Sequence, residues 1–207
     1  MNYDSIIFDL DGTLWDSTET SATIIRDILK GYPDIKDTVD ADDLKRLFGR
    51  PLNEIGMELF QSVDKERAVQ AINEYCKLQG SYMEKLGGIL YPELEETLKE
   101  LSKKFKLLIV SNCEDGYIES FFAAHGLAEY FCDYECPGRT GKLKAENIRI
   151  VMERNGLQNP VYVGDTIWDA EAAKEAGVPF IYAEYGFGEV TEYTDVIHAF
   201  SELKKYL

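Results

Sequence analysis

Apolar and polar positions alternate along this chain in two rhythms. Short apolar runs bounded by turn residues occur at "SIIFDL" (5–10), "FKLLIVS" (105–111), "YFCDYEC" (130–136), "PVYVGD" (160–165) and "PFIYAEYG" (179–186), and each reads as a strand. Between most of them the apolar residues return with helical period. "ELEETLKELSKK" sets Leu94, Leu98 and Leu101 on one helical face after Pro92, and "AENIRIVMERNG" does the same with Ile148, Val151 and Met152 before a glycine stop. Strands that alternate with helices predict an α/β fold, a Rossmann-like parallel sheet with helices on both faces.

The first and second strands are separated by far more chain than one crossover helix needs. From 17 to 88 the pattern is helical, as in "DKERAVQAINEYCKLQGSYMEKLGG", with breaks at "GYPD" and "FGRPLN". The expected organisation is therefore an α/β core from residues 1–16 and 89–207, with an α-helical cap subdomain, 17–88, inserted after the first strand. Hinges are expected near 16–18 and 87–92.

Composition narrows the chemistry. The 207 residues allow one good core with a modest insert, and 38 acidic against 22 basic residues give a formal charge of −16, which disfavours nucleic acid as a partner. No apolar run is long enough to span a membrane, and the chain enters a strand-like segment without a signal-peptide pattern, so the expectation is a cytoplasmic protein with no membrane partner. Cys76, Cys113, Cys132 and Cys136 lack a paired framework and read as buried or half-buried thiols. His125 and His198, the two histidines, each sit in a helical pattern near apolar residues, which leaves carboxylates to carry the chemistry.

The carboxylates collect at strand ends. In an extended strand Asp9 and Asp11 share a face while Leu10 points the other way, and Gly12 lets the chain turn there. Two adjacent carboxylates repel unless a cation lies between them or one keeps its proton. A second cluster repeats the form, with Gly164-Asp165 at a strand end and Asp169 four residues on. Helix N-terminal charge explains either cluster alone. Two clusters converging on one sheet edge point instead to Mg²⁺, which takes hard oxygen ligands and leaves water sites for a phosphate. Ser111 and Asn112 end another strand and can hydrogen-bond phosphoryl oxygens, although Asn112 would equally serve as a helix N-cap. Lys142 or Lys144 would supply the cation that four aspartates require.

The order of Asp9-Leu10-Asp11-Gly12-Thr13, Ser111-Asn112, a lysine before a helix, and Gly164-Asp165 with Asp169 resembles the haloacid dehalogenase-like hydrolase superfamily, over residues 6 to about 183. The resemblance implies that Asp9 attacks phosphorus to form an aspartyl-phosphate. It makes Asp11 the general acid and then base, and has Asp9, the Asp11 carbonyl oxygen and Asp165 hold Mg²⁺, with Asp169 beside them. Ser111 and a lysine would stabilise the phosphoryl oxygens, with Lys144 favoured because "KAENI" is similar to the helix entry of phosphoserine phosphatase-like members. The second aspartate, Asp11, favours phosphate esters over halides or phosphonates.

The insert resembles the family's first cap type, and "FGRPLNEIG" its specificity loop, with Arg50 as an anion contact, though a solvated arginine is the ordinary alternative. Trp15 and Trp168 flank the acidic clusters and could wall the site or simply pack. The leading expectation is a Mg²⁺-dependent phosphatase acting on a small phosphorylated metabolite, similar to phosphoglycolate phosphatases. A sugar phosphomutase resembling β-phosphoglucomutase shares the aspartates and the cap, and a non-catalytic binding protein on the same fold is a third reading.

Overall fold

The fold was analysed in a computed structural model that describes residues 3–207. Strand β1, Ser5–Phe8, is buried along its whole length and leads to a two-residue strand β2, Trp15–Asp16. Four helices follow: α1 Thr18–Leu29, α2 Ala41–Lys45, α3 Leu52–Leu59 and α4 Lys65–Leu86. Strand β3, Ile89–Leu90, then pairs antiparallel with β2, so this two-stranded ribbon brackets the four helices in the chain.

The rest alternates. Helix α5, Leu94–Leu101, precedes strand β4, Lys106–Val110, and α6, Tyr117–His125, precedes β5, Asp133–Glu135. A short α7, Pro137–Thr140, and α8, Lys144–Asn155, lead to β6, Pro160–Gly164. Helix α9, Ile167–Ala176, strands β7, Phe180–Ala183, and β8, Asp195–Ile197, and a 3₁₀ segment, Phe200–Tyr206, complete the chain.

The main sheet has the order β5-β4-β1-β6-β7-β8, and every pairing in it is parallel. Alternation along β1 sends Ile6 and Phe8 to one face, with α5, α6 and the 3₁₀ segment, and Ile7 to the other, with Ile148 and Val151 of α8 and Ala173 of α9. The fold is thus the Rossmann-like α/β arrangement that the alternating pattern predicts. Strand β8 was not among the expected strands, because it is a three-residue edge element in which Ile197 alone is fully buried.

The topology sets up the site. The first strand lies between β4 and β6, with Phe8 in register with Ile109 and Val163. Asp9, Ser111 and Asp165 therefore leave the sheet side by side at its carboxyl edge, where open parallel sheets bind ligands.

The histidines and cysteines depart in part from expectation. His125 ends α6 and packs edge-on against Trp15, but His198 follows β8 in an exposed bend, since its neighbours continue a strand and not a helix. All four thiols are free, and Cys132 is exposed because it precedes the edge strand β5, outside the packed faces.

Candidate active site

Asp9 is 4% exposed and its backbone N–H donates to the Val163 carbonyl at 2.8 Å, which ties the strand end to β6. Lys144, at the first turn of α8, is equally buried and its Nζ lies 2.8 Å from Asp9 Oδ1 and 2.6 Å from Asp169 Oδ1. Lys142, the alternative, is exposed on the loop before the helix. Burial pushes the Asp9 carboxyl up to about 7; the Lys144 charge opposes that rise and Asp169 adds to it. Its two carboxylate partners hold Lys144 well above the usual lysine range against the effect of burial.

Asp165 is fully buried, accepting from Thr13 Oγ1 at 3.1 Å and from the Phe187 backbone N–H at 2.8 Å. Burial and the nearby charges of Asp169 and Asp9 raise its carboxyl well above the ordinary range. Two glycines make room for it. Gly12 has φ of +82°, and a Cβ there would collide with the Asp165 carboxylate; a Cβ on Gly186 would strike the same side chain and the Gly12 carbonyl.

Asp169 lies in the first turn of α9 and forms a capping box with Thr166. Its Oδ2 accepts from the Thr166 N–H at 2.9 Å and hydroxyl at 2.7 Å, while Oδ1 accepts from Lys144 and from Tyr162 Oη at 3.3 Å. Both oxygens are thus engaged by protein donors.

Asp11 is arranged differently. Its Oδ1 accepts from Trp15 Nε1 at 2.9 Å, from Tyr117 Oη at 3.0 Å and from the Ser17 hydroxyl. Burial raises its carboxyl to about 6, and those three donors hold it from going higher. A carboxyl near that value can give and take a proton at neutral pH. Trp15 is fully buried against Tyr117 and Phe121 and fixes Asp11, whereas Trp168 is exposed and lines a cleft of about 440 Å³ that reaches Lys144.

Ser111 is buried at the end of β4, and its hydroxyl makes no hydrogen bond to another described residue. Asn112 does not cap a helix, because α6 begins only after Gly116; its Nδ2 donates to the Gly49 carbonyl at 3.0 Å, joining the sheet edge to the helical insert. Arg50, half-buried, lines a cavity of about 40 Å³ together with Asp11, Asn112, Ile55, Tyr75 and Gln79.

Sequence reasoning missed Ser17, Tyr117, Thr13 and Tyr162. Ser17 and Thr13 carried a local signal, polar residues just past the acidic pair, but Tyr117 reaches Asp11 from 106 positions away and had none.

The donor set suits a divalent cation. Carboxylate oxygens of Asp9, Asp165 and Asp169 lie within 4.8 Å of one another, all three buried, and hard oxygen donors of this kind fit Mg²⁺. The Asp11 carboxylate is not part of that group.

The raised carboxyls have a thermodynamic sign. Asp9 and Asp165 bind protons more tightly folded than unfolded, so the metal-free protein loses stability as pH rises, for Asp9 from near 4 through about 7, with Asp165 acting in the same direction. A cation on those carboxylates competes with protons and restores what is lost. Millimolar Mg²⁺ is therefore expected to raise the melting temperature by roughly 5 °C or more at about pH 7.5, and by much less at about pH 5. Thermal melts in Mg²⁺ and in chelator at the two pH values check this, and a shift independent of pH would contradict it.

Comparison with known proteins agrees with this geometry. The family model for haloacid dehalogenase-like hydrolase matches residues 6–183. A phosphoglycolate phosphatase of Vibrio vulnificus is 30% identical over 196 residues, covering 88% of this chain and 84% of its own. A 5'-nucleotidase of Pseudomonas aeruginosa is 29% identical, with 93% and 87% covered. Among solved structures, a predicted phosphatase from Clostridium acetobutylicum superposes with a TM-score of 0.81 at 27% identity, covering 99% of this chain and 98% of that one. The family match and these relatives place the protein among hydrolytic enzymes. The chain belongs to the haloacid dehalogenase-like hydrolase family.

Proposed function

We propose that the protein is a phosphatase that hydrolyses a phosphomonoester of a small metabolite through an aspartyl-phosphate on Asp9, with Mg²⁺ as cofactor. The observation that carries this reading is the position of Asp9. It ends the central strand, contacts the buried Lys144 ammonium, and lies within one carboxylate cluster with Asp165.

Asp9, Asp165 and the Asp11 carbonyl would hold the metal, with Asp169 linked through water because its oxygens are already occupied by Thr166, Lys144 and Tyr162. When bound, the cation supplies charge neutralisation for an anionic nucleophile and an anionic ester. An Asp9 carboxylate oxygen attacks phosphorus and the bond to the ester oxygen breaks. Asp11 gives that oxygen its proton, and then removes a proton from the water that attacks the phosphorus, freeing Asp9 and inorganic phosphate. Lys144 and the Ser111 hydroxyl stabilise charge on the transferring oxygens. Helices α1–α4 act as the cap that excludes bulk water, tethered by the β2–β3 ribbon.

Beside Asp11 lies a cavity lined by Arg50, Asn112 and Gln79, and the product formed separates hydrolysis from the phosphomutase alternative. The test is phosphate release from a panel of phosphomonoesters with Mg²⁺, alongside conversion of β-glucose 1-phosphate to glucose 6-phosphate. Hydrolysis of short esters with negligible isomer is expected; isomer formed with little free phosphate would overturn the assignment.

A further inference from the structure

The same cavity holds a buried group that phosphoryl transfer does not use. Gln79, on α4, is 5% exposed and lines the cavity, yet its amide makes no hydrogen bond to another described residue. Its polar atoms are not sealed from solvent and remain available to a ligand in the cavity. The uncharged polar side chains around it are engaged. Tyr75 Oη shares a hydrogen bond with Ser21, Asn112 donates to Gly49, and Tyr117 donates to Asp11 and Ser17.

Among the described residues that line the cavity, Arg50 alone carries a positive charge, and its guanidinium has no ion pair or hydrogen bond with another described residue. A free amide and a free guanidinium thus face one small space next to the proton-transferring carboxyl. Ile55 and Leu52 supply apolar walls, and exposed Glu114 stands among the lining residues.

We propose that Gln79 is a specificity-determining residue, whose amide N–H donates to the distal, anionic end of a short leaving group while Arg50 supplies the opposite charge. This rests on the phosphatase reading above. With the phosphoryl group at Asp9 and the ester oxygen at Asp11, a short leaving group extends into the cavity that Gln79 and Arg50 line. A carboxylate there satisfies both free donors at once, and a methyl group satisfies neither.

The test compares 2-phosphoglycolate with ethyl phosphate, in which a methyl replaces the carboxylate. The wild type is expected to prefer phosphoglycolate by about tenfold or more in kcat/KM. Gln79→Leu removes the donor and Gln79→Glu sets a negative charge against the carboxylate. Both should narrow that preference by about tenfold, Glu more than Leu, with the loss carried mainly by KM.

Thermal melts of both variants separate recognition from folding, and the conservative Gln79→Asn should retain part of the preference if it folds. An unchanged ratio in folded variants, equal losses on the two esters, or a wild type that does not discriminate would overturn the proposal. If the wild type releases phosphate from neither of these esters but does so from others in the wider panel, this proposal falls while the phosphatase reading stands. Release from no phosphomonoester at all overturns both.

Discussion

Replacing Asp9 with Asn is expected to remove phosphatase activity by at least about a thousandfold while leaving a folded protein. An amide oxygen is a poor nucleophile, and loss of a nucleophile that acts as one unit with its neighbours removes nearly all of the rate. The fold should tolerate the change. Asp9 is buried, and its carboxyl is raised to about 7 by that burial, so a neutral isostere removes a charge that burial disfavours. Single-turnover assays with Asp9→Asn, together with a melting curve, check both parts. Activity near the wild-type level in a folded variant would remove Asp9 from the nucleophile's role.

The second large effect is at Lys144. Lys144→Ala should lose most turnover, whereas Lys142→Ala should keep it, because Lys142 is exposed and Lys144 reaches Asp9 and Asp169. The loss also has a structural side. Removing one partner of a buried charge group leaves the others uncompensated, at a cost of about 3–5 kcal/mol. The Lys144→Ala variant should therefore melt lower at neutral pH and recover part of the difference when Mg²⁺ is added, since a cation near Asp9 and Asp165 relieves the same repulsion. Steady-state kinetics of the two variants decide the matter, and full turnover by Lys144→Ala would refute it.

Much of the fold was legible because its signals are local. Five apolar runs and two amphipathic helices declare themselves within a dozen residues each, and the long helical-period stretch after the first strand corresponds to four consecutive helices, α1–α4. Strand β8 and the β2–β3 ribbon stayed hidden. A three-residue edge strand and a two-residue ribbon are too short for a period to emerge, and their pairing depends on strands already in place.

The candidate site divides along the same line. Asp9, Asp11, Asp165 and Lys144 were readable as acids or bases at element ends. Their supports were not: Tyr117 and Gln79 lie mid-chain with nothing nearby to mark them, and only the packing of α6 and α4 brings them to Asp11 and its cavity. Asn112 shows the converse. Its place at a strand end suggested a phosphoryl contact or a helix cap, but Gly116 precedes that helix, and the amide donates to the Gly49 carbonyl.

The cradle around Asp165 carries a consequence for how the chain reaches its working form. Thr13 bonds this carboxylate across 152 positions, and the Phe187 N–H and the Gly186 backbone close over it from the segment after β7. Contacts of such long range form late, after the loop-closure entropy has been met by other pairings. Local helices can therefore be in place during refolding while the acidic pocket is still open on one side. Recovery of catalysis should lag recovery of helical signal, which makes turnover a sensitive reporter of the last docking event in this polypeptide.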